Sequence, residues 1–235
     1  MQVKISDSIK YIGVDDKTID LFESQYLVPN GISYNSYLIV DEKVENLDRE
    51  LNGRTPDYLV ISHLEPDHAS NIKVVSEKYP SMKLVGNAKT FSMLPQFFPD
   101  FDFADKTVTV KEGDELELGS HKLTFIMAPM VHWPEVMVSY ENAEKVLFSA
   151  DGFGTFGTLD AQEDDWACEA RRYYFNICGK YGVQVQNLLK KAAKLDIRKI
   201  CPLHGPVLDE NLGWYIGLYD IWSKYEPETD GVFIA

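Results

Sequence analysis

The stretch that decides the fold is residues 58–68, YLVISHLEPDH, in which a short apolar run is followed at once by polar residues. The run YLVIS has the length and composition of a buried β-strand. The six residues after it contain four side chains able to bind a metal: His63, Glu65, Asp67 and His68. Because a helix is expected to begin near Asp67, the two halves of this motif face neighbouring positions. The spacing therefore fits two metals better than one.

Three further candidate ligands follow later apolar runs. His132 lies in MVHWPE after LTFIMAP, Asp151 follows VLFSA, and His204 lies in CPLHGP after a run at residues 199–201. Alone, each would more often be a structural histidine or a turn aspartate. Four strand ends that each supply a ligand type, with Gly or Pro beside them, together predict a metal centre.

Other polar residues receive no chemical role. His121 lies in the turn GSHK and is expected to be solvated, without a partner. Asp160 and the acidic residues 163–165 are typical of a helix start before Trp166, where carboxylates suit the helix dipole.

The composition narrows the class of protein. The 235 residues carry 23 Lys and Arg against 37 Asp and Glu, a net charge of −14 that disfavours nucleic acid as a partner. Three separated cysteines, Cys168, Cys178 and Cys201, suit a reducing compartment and exclude a Cys-rich zinc site. No window approaches about 20 continuous apolar residues and the first residues show no targeting signal, so we expect a soluble, cytoplasmic protein without membrane contact.

Periodicity predicts mixed strands and helices. Strand-like runs lie at residues 33–40, 58–62, 82–85, 123–127, 136–140 and 146–149. Helical patterns lie at residues 70–79, 185–194 and 212–225, the last with Trp214, Leu218, Ile221 and Tyr225 as its expected buried stripe. This order indicates an α/β protein of one main domain.

The motifs resemble those of the metallo-β-lactamase superfamily, whose HxHxDH motif, later His, bridging Asp and final His bind two metals. Glu65 replaces the second His, and in this the chain resembles the diiron core of flavodiiron proteins, which reduce dioxygen or nitric oxide. The resemblance covers nearly the whole chain, including GISYNSYLI, APMVHWPE, LFSADGFGTFG, RRYYFNI and PLHGP. It implies an αββα sandwich with two facing sheets, outer helices and metals at the sheet edges.

The resemblance also implies the cofactor, two iron ions with a bridging oxo or hydroxo group. One iron would take His63, Glu65 and His132, the other Asp67, His68 and His204, with Asp151 between them. A carboxylate in place of an imidazole suits iron better than zinc. Three carboxylates, two Fe(II) ions and one hydroxide would make a neutral buried site.

The pocket around the irons is less sharply defined by the sequence. Tyr174 resembles a family tyrosine that could hydrogen-bond a bound oxygen ligand; Tyr173 is the alternative, and simple packing along a helix suits both equally well. Phe156 stands where some flavodiiron proteins carry a histidine, so proton donation from that position is absent.

Residues 1–225 are expected to form the diiron domain, and residues 226–235 resemble the linker and first strand of a flavodoxin domain, so this chain is expected to hold no FMN. Two functions follow. One is an oxygen or iron sensor of bacterial chemotaxis, as in stand-alone oxygen-binding diiron proteins; the other is a truncated dioxygen or nitric oxide reductase core. A dizinc hydrolase is a third, weaker alternative. Expected partners are dioxygen or nitric oxide, a second copy in a homodimer, and a signalling or electron-transfer protein.

Overall fold

The computed structural model describes residues 4–40, 51, 53–160 and 166–231. The acidic residues 163–165, predicted as a helix start, and the last four residues of the predicted tail lie outside this part of the chain. No helix within the described ranges is long and apolar enough to cross a membrane.

The elements alternate between short strands and helices along the chain. The strands are β1 Ile9–Tyr11, β2 Val14–Asp16, β3 Leu21–Phe22, β4 Tyr26–Leu27, β5 Ile32–Tyr34, β6 Tyr37–Ile39, β7 Tyr58–Val60, β8 Lys83–Asn87, β9 Thr107–Val110, β10 Glu115–Glu117, β11 Lys122–Met127, β12 Met137–Glu141, β13 Val146–Phe148 and β14 Lys199–Cys201. The α-helices are α1 Pro66–Ala69, α2 Ile72–Lys78, α3 Ala88–Phe97, α4 Trp166–Ile177, α5 Gly182–Ala192 and α6 Leu212–Ser223.

Two sheets form the centre of the molecule. The larger has the order β10-β11-β12-β13-β14, antiparallel except for the parallel pair β13 and β14. The smaller is the parallel sheet β7-β8-β9. Three further antiparallel pairs lie in the N-terminal region: β1 with β6, β2 with β5 and β3 with β4.

The layers follow from the alternation of side chains along each strand. Val85 of β8 and Phe125 of β11 belong to one cluster between the two sheets. The neighbouring Leu84 faces a cluster formed with α2 and α3, while Ile126 faces the cluster formed with α4, α5 and α6. The predicted α/β class and αββα sandwich are therefore confirmed.

The run at residues 33–40 forms two strands instead of the single strand expected. Strand β5 pairs with β2, and strand β6 pairs with β1. The extended run is interrupted at Asn35, which lies between β5 and β6. Asn35 is buried, and its side-chain amide donates to the carbonyl oxygens of Pro202 and Gly205, both at 2.8 Å. This polar residue joins the N-terminal strands to the loop after β14.

The buried face of α6 differs from the prediction. Trp214 and Tyr225 are 50% and 61% exposed, whereas Tyr219 and Trp222 are buried. Residues 212–223 are apolar around most of the helix, so the sequence does not mark one apolar face as the buried one. Packing against α4, where Tyr174 contacts Tyr219 and Trp222, determines which face is buried. Beyond α6, Glu228 accepts hydrogen bonds from Trp222 Nε1 at 2.6 Å and Arg171 Nη2 at 2.7 Å, so this residue packs on both helices.

Candidate metal centre

The HLEPDH segment changes direction within six residues because a helix begins inside it. His63 and Glu65 follow β7, and Glu65 is the residue that precedes α1. Asp67 and His68 lie in the first turn of α1, where the His68 amide donates to the Glu65 carbonyl at 3.0 Å. The helical turn points these two side chains away from the first pair, which agrees with the spacing argument from the sequence.

Four side chains meet in what we call the first subsite: His63, Glu65, His132 and Asp151. Glu65 Oε2 lies 3.2 Å from His63 Nε2 and 2.7 Å from His132 Nε2. Asp151 Oδ2 lies 3.0 Å from each of the same two nitrogens. One cation could contact all four groups.

Asp67, His68 and His204 meet in the second subsite, beside the first. Asp67 Oδ2 lies 3.3 Å from both His68 Nε2 and His204 Nε2. The other oxygen of Asp151, Oδ1, lies 3.3 Å from His68 Nε2 and 4.0 Å from His204 Nε2. Asp151 thus presents one carboxylate oxygen to each subsite, and all seven residues singled out in the sequence come together.

The polar atoms at this centre are arranged to bind metal ions and not to form hydrogen bonds with one another. Among the described residues, both oxygens of Asp67, both oxygens of Asp151 and the Nε2 atoms of His68 and His204 are buried without a hydrogen-bond partner. Such atoms are destabilising unless a cation or another partner satisfies them. Four imidazole nitrogens and three carboxylates form a donor set that suits iron.

Neighbouring groups orient the histidines and the HLEPDH loop. His204 Nδ1 donates to the Ser33 carbonyl oxygen at 2.7 Å, which leaves Nε2 free for a metal. His63 Nδ1 lies 3.2 Å from Ser62 Oγ. The buried Glu135 accepts a hydrogen bond of 2.7 Å from the Leu64 amide, between two candidate ligands. Sequence reasoning gave Glu135 no role, although it lies three residues after His132.

The metal-free electrostatics differ between the histidines. Burial lowers the pKa of His63, but Asp151 and Glu65 raise it more, to about 10. Burial likewise lowers and the same carboxylates raise the pKa of His132, which reaches about 9. Burial dominates at His68, whose pKa falls below its usual value. Burial opposes ionisation of Asp151, yet the surrounding histidines hold its pKa well below the usual range.

Aromatic side chains close the second subsite. The ring of Tyr173 lies 5.8 Å from that of His204 and 5.1 Å from that of Phe156. Tyr174 instead packs against Tyr219 and Trp222, with ring distances of 5.0 and 5.5 Å. The geometry therefore favours Tyr173 as the pocket tyrosine, and the role expected of Tyr174 has no support in these contacts.

His121 is not the solvated turn residue expected from the sequence. Its side chain is only 7% exposed, and Nδ1 lies 3.0 Å from Oε1 of the fully buried Glu141. Glu141 also accepts hydrogen bonds from the Ala143 and Glu144 amides in the turn after β12. The GSHK turn meets this second turn in the fold, which local sequence cannot show.

Glu23 is a further acidic group at the centre that sequence reasoning missed. It occupies the turn between β3 and β4, where the residue is exposed to solvent, and it lies near Glu65. Partial burial of its carboxyl group, followed by the neighbouring Glu65, raises the pKa of Glu23 to about 8. Nothing in its own sequence neighbourhood distinguishes this residue from other surface acids.

Comparison with known proteins identifies the family. The family described as "ODP family beta lactamase" matches residues 23–205, which include both subsites. The chain belongs to this family. The resemblance to flavodiiron proteins is confirmed, because such proteins are among the relatives of this ODP-family chain in both sequence and structure.

The ODP-family chain matches only part of each longer relative. It is 30% identical to a nitric oxide reductase of Moorella thermoacetica, with 98% of this chain and 63% of the relative covered. It is also similar to rubredoxin oxygen:oxidoreductase from Desulfovibrio gigas, at TM-score 0.86 and 29% identity over 97% of this chain and 62% of that one. The flavodiiron protein from Giardia intestinalis gives TM-score 0.82 and 27% identity, with 96% and 60% covered. The chain thus spans less than two thirds of these relatives.

Proposed function

We propose that this chain binds two iron ions, and dioxygen or nitric oxide between them, as an oxygen or iron sensor. The observation that carries the proposal is the pair of subsites that share the two oxygens of Asp151. A shared carboxylate keeps two metals close enough to act on one small ligand. Two relatives are a nitric oxide reductase and a rubredoxin oxygen:oxidoreductase, which supports the same ligands here.

Iron bound in this way would supply open coordination positions and electrons for a diatomic ligand. The protein's own residues would set the geometry. His63, Glu65 and His132 would hold one ion, and Asp67, His68 and His204 the other, because their ligand atoms already converge. The hydrogen bond from His204 Nδ1 to Ser33 would keep Nε2 directed at its metal.

The pocket wall favours binding over fast reduction. Reduction of dioxygen or nitric oxide consumes protons, and the aromatic rings beside His204 include those of Phe22, Tyr34 and Tyr173. Burial and the charge of Asp151 raise the pKa of Tyr173 well above its usual value, so this hydroxyl holds its proton at neutral pH. A bound ligand that meets only weakly acidic tyrosine hydroxyls on the side of His204 would be protonated slowly there, and would persist long enough for a partner protein to read the altered state.

The alternative is the core of a flavodiiron-type reductase, and the named activities of the relatives favour it. The test is to load the protein with Fe(II) without oxygen, count the metals, and add dioxygen without any reductant. A sensor is expected to bind two irons and to develop a visible absorption band that lasts for minutes. Rapid decay of that band, together with turnover once an electron donor is added, would instead establish the reductase.

A parallel incubation with Zn(II) tests the third class, a dizinc hydrolase. The iron assignment predicts that Fe(II) supports the oxygen-dependent spectrum and that the zinc form lacks hydrolytic activity toward esters, thioesters and lactams. Tight zinc retention with hydrolytic turnover would refute both iron functions.

A further inference from the structure

The loop that carries His204 is hydrogen-bonded to the N-terminal strands at several points. The Ser33 carbonyl oxygen accepts from His204 Nδ1, and Ser33 Oγ accepts from the Gly205 amide, both at 2.7 Å. The Tyr37 hydroxyl donates to the Pro202 carbonyl oxygen at 2.6 Å. The position of this loop therefore depends on residues that lie far from it in sequence.

Asn35 binds this loop on both sides of His204. Its main-chain amide donates to the Leu203 carbonyl oxygen at 2.7 Å. Its side-chain Nδ2 donates to the carbonyl oxygens of Pro202 and Gly205, both at 2.8 Å, and the residue is only 2% exposed. One buried residue thus holds the main chain before and after a candidate ligand.

The chemistry of these contacts suits asparagine. Pro202 and Gly205 are buried, so their carbonyl oxygens need hydrogen-bond donors within the protein. A side-chain amide offers two N–H donors and one acceptor, and here the acceptor Oδ1 of Asn35 receives the Tyr11 hydroxyl at 3.0 Å. An aspartate has nearly the same shape, but at neutral pH it has no N–H or O–H to donate to the two carbonyl oxygens.

The main-chain position matters because His204 must meet the other ligands of the second subsite. His204 Nε2 lies 3.3 Å from Asp67 Oδ2 and 4.0 Å from Asp151 Oδ1. Ser33 fixes the rotation of the imidazole ring through Nδ1, whereas Asn35 fixes the peptide groups that carry the ring. Groups that orient a ligand without touching the metal contribute to metal affinity.

We propose that Asn35 is a positioning residue of the second subsite, which holds the main chain around His204 so that Nε2 of this ligand faces the metal. The inference rests on the proposed function, since it requires that a metal binds there. It extends the metal-binding machinery to the segment between β5 and β6.

The first test compares Asn35→Asp and Asn35→Ala with the wild type. Anaerobic titration with Fe(II) in competition with a coloured chelator gives the affinity of each of the two metals. Both variants are expected to weaken one metal by about 10- to 100-fold, the usual effect of removing a partner of a ligand, and to leave the other unchanged. The Ala variant shows that the effect does not require the new charge of the Asp variant.

Double variants identify the metal that Asn35 affects. His132→Ala should retain the metal of the second subsite, and His204→Ala that of the first. Asn35→Ala added to His132→Ala should weaken the retained metal by the same factor as in the single variant. Added to His204→Ala it should change nothing, because the ligand through which Asn35 acts is already missing. Equal effects in both backgrounds would show a general structural role and overturn the inference.

Asn142→Asp is the matched control, since it removes similar bonds at the end of β11 away from His132. Asn142 Nδ2 donates to the Lys122 carbonyl oxygen and to Thr124 Oγ1, both at 2.9 Å. This variant should bind both metals like the wild type. Thermal unfolding of the metal-free variants reports whether each is folded, and failure of both Asn35 variants to fold would overturn the inference in favour of a role in the fold alone.

These outcomes are separable from failure of the proposed function. If the wild-type protein binds no pair of iron ions, the proposed function itself is wrong. If the wild type binds two and the Asn35 variants bind both with unchanged affinity, only the positioning role is wrong.

Discussion

Asp151 differs from the other candidate ligands because it faces both subsites, one oxygen to each. Replacement of a ligand that serves one subsite should remove one metal, whereas replacement of Asp151 should affect both. We expect His132→Ala and His204→Ala each to retain about one metal per chain, and Asp151→Asn to retain less than one. Elemental analysis of the anaerobically loaded variants measures this directly.

His121→Ala provides the matched control for those variants, since His121 is also a buried histidine but pairs with Glu141 outside the centre. It should keep both metals and lose about 1.5–3 kcal/mol of stability, the usual contribution of a hydrogen bond to a charged group. Loss of metal in this control would mean that the counts report general unfolding. Two metals in Asp151→Asn would contradict the bridging role.

Proton release should accompany metal binding at the first subsite. His63 and His132 have pKa values of about 10 and 9 in the metal-free protein, so at pH 7 both rings are imidazolium cations with a proton on each nitrogen. A metal binds the neutral imidazole, and each proton must leave. Metal affinity should therefore fall as the pH is lowered and rise as it approaches 9–10. Calorimetry in two buffers of different ionisation enthalpy would count the protons, and no release at pH 7 would contradict the prediction.

The convergence of the seven candidate ligands could be predicted from sequence, because each lies in a segment that follows a predicted strand. The supporting residues could not. Glu135 is an ordinary acid in its local sequence, and its hydrogen bond to the Leu64 amide forms only across the fold. The choice between Tyr173 and Tyr174 likewise depends on the rotation of α4, which packing determines.

The loop after β14 contains His204, and its backbone conformation at the next residue, Gly205, suits glycine. Gly205 has φ of 83°, and a Cβ atom there would lie 2.3 Å from Thr155 Oγ1 and 3.0 Å from the Thr155 amide nitrogen. Gly205→Ala should therefore displace the loop, weaken the second metal and cost at least about 1–2 kcal/mol of stability. Metal counting and thermal unfolding measure the two effects.

Gly217 in α6 is the matched control, because a Cβ there would meet nothing within 4 Å. Gly217→Ala should leave metal binding unchanged and stabilise the protein by roughly 0.5–1 kcal/mol, since alanine is the better helix former. If both glycine variants behave alike, the loop does not require glycine at position 205.

Prediction of the elements succeeded for strands whose apolar runs end at turn residues, and it failed where tertiary packing determines which face of a helix is buried. Strands β7, β11, β12 and β13 appear close to their expected positions, since their apolar runs are bounded by turn residues. The predicted stripe of α6 was correct at Leu218, which is buried, and at Ile221, which packs against the core, but wrong at Trp214 and Tyr225, because a helix that is apolar on most sides can present any of them. Strands β1 and β2 were not predicted, because their sequences IKY and VDD include charged residues and form no apolar run.

The whole molecule should fold without metal. Separate apolar clusters lie outside each sheet and between them, so the core does not depend on the ligands. A chelator should lower the unfolding temperature but leave the circular dichroism spectrum of the folded protein unchanged. A free metal concentration of 100 times the dissociation constant of a site would stabilise the folded protein by about 2.7 kcal/mol per site. A random-coil spectrum after chelation would show that folding requires the metal.

The bond from His204 to Ser33 also has a consequence for the time course of folding. It joins residues 171 positions apart, and Asn35 contacts Pro202 and Gly205 across similar separations. Closing so long a loop costs more chain entropy than closing a short one, so we expect these contacts to form late in folding. The ligands of the first subsite end at Asp151, so that subsite can assemble while the last third of the chain is still unfolded. Occupancy of the second subsite would then report that folding is complete.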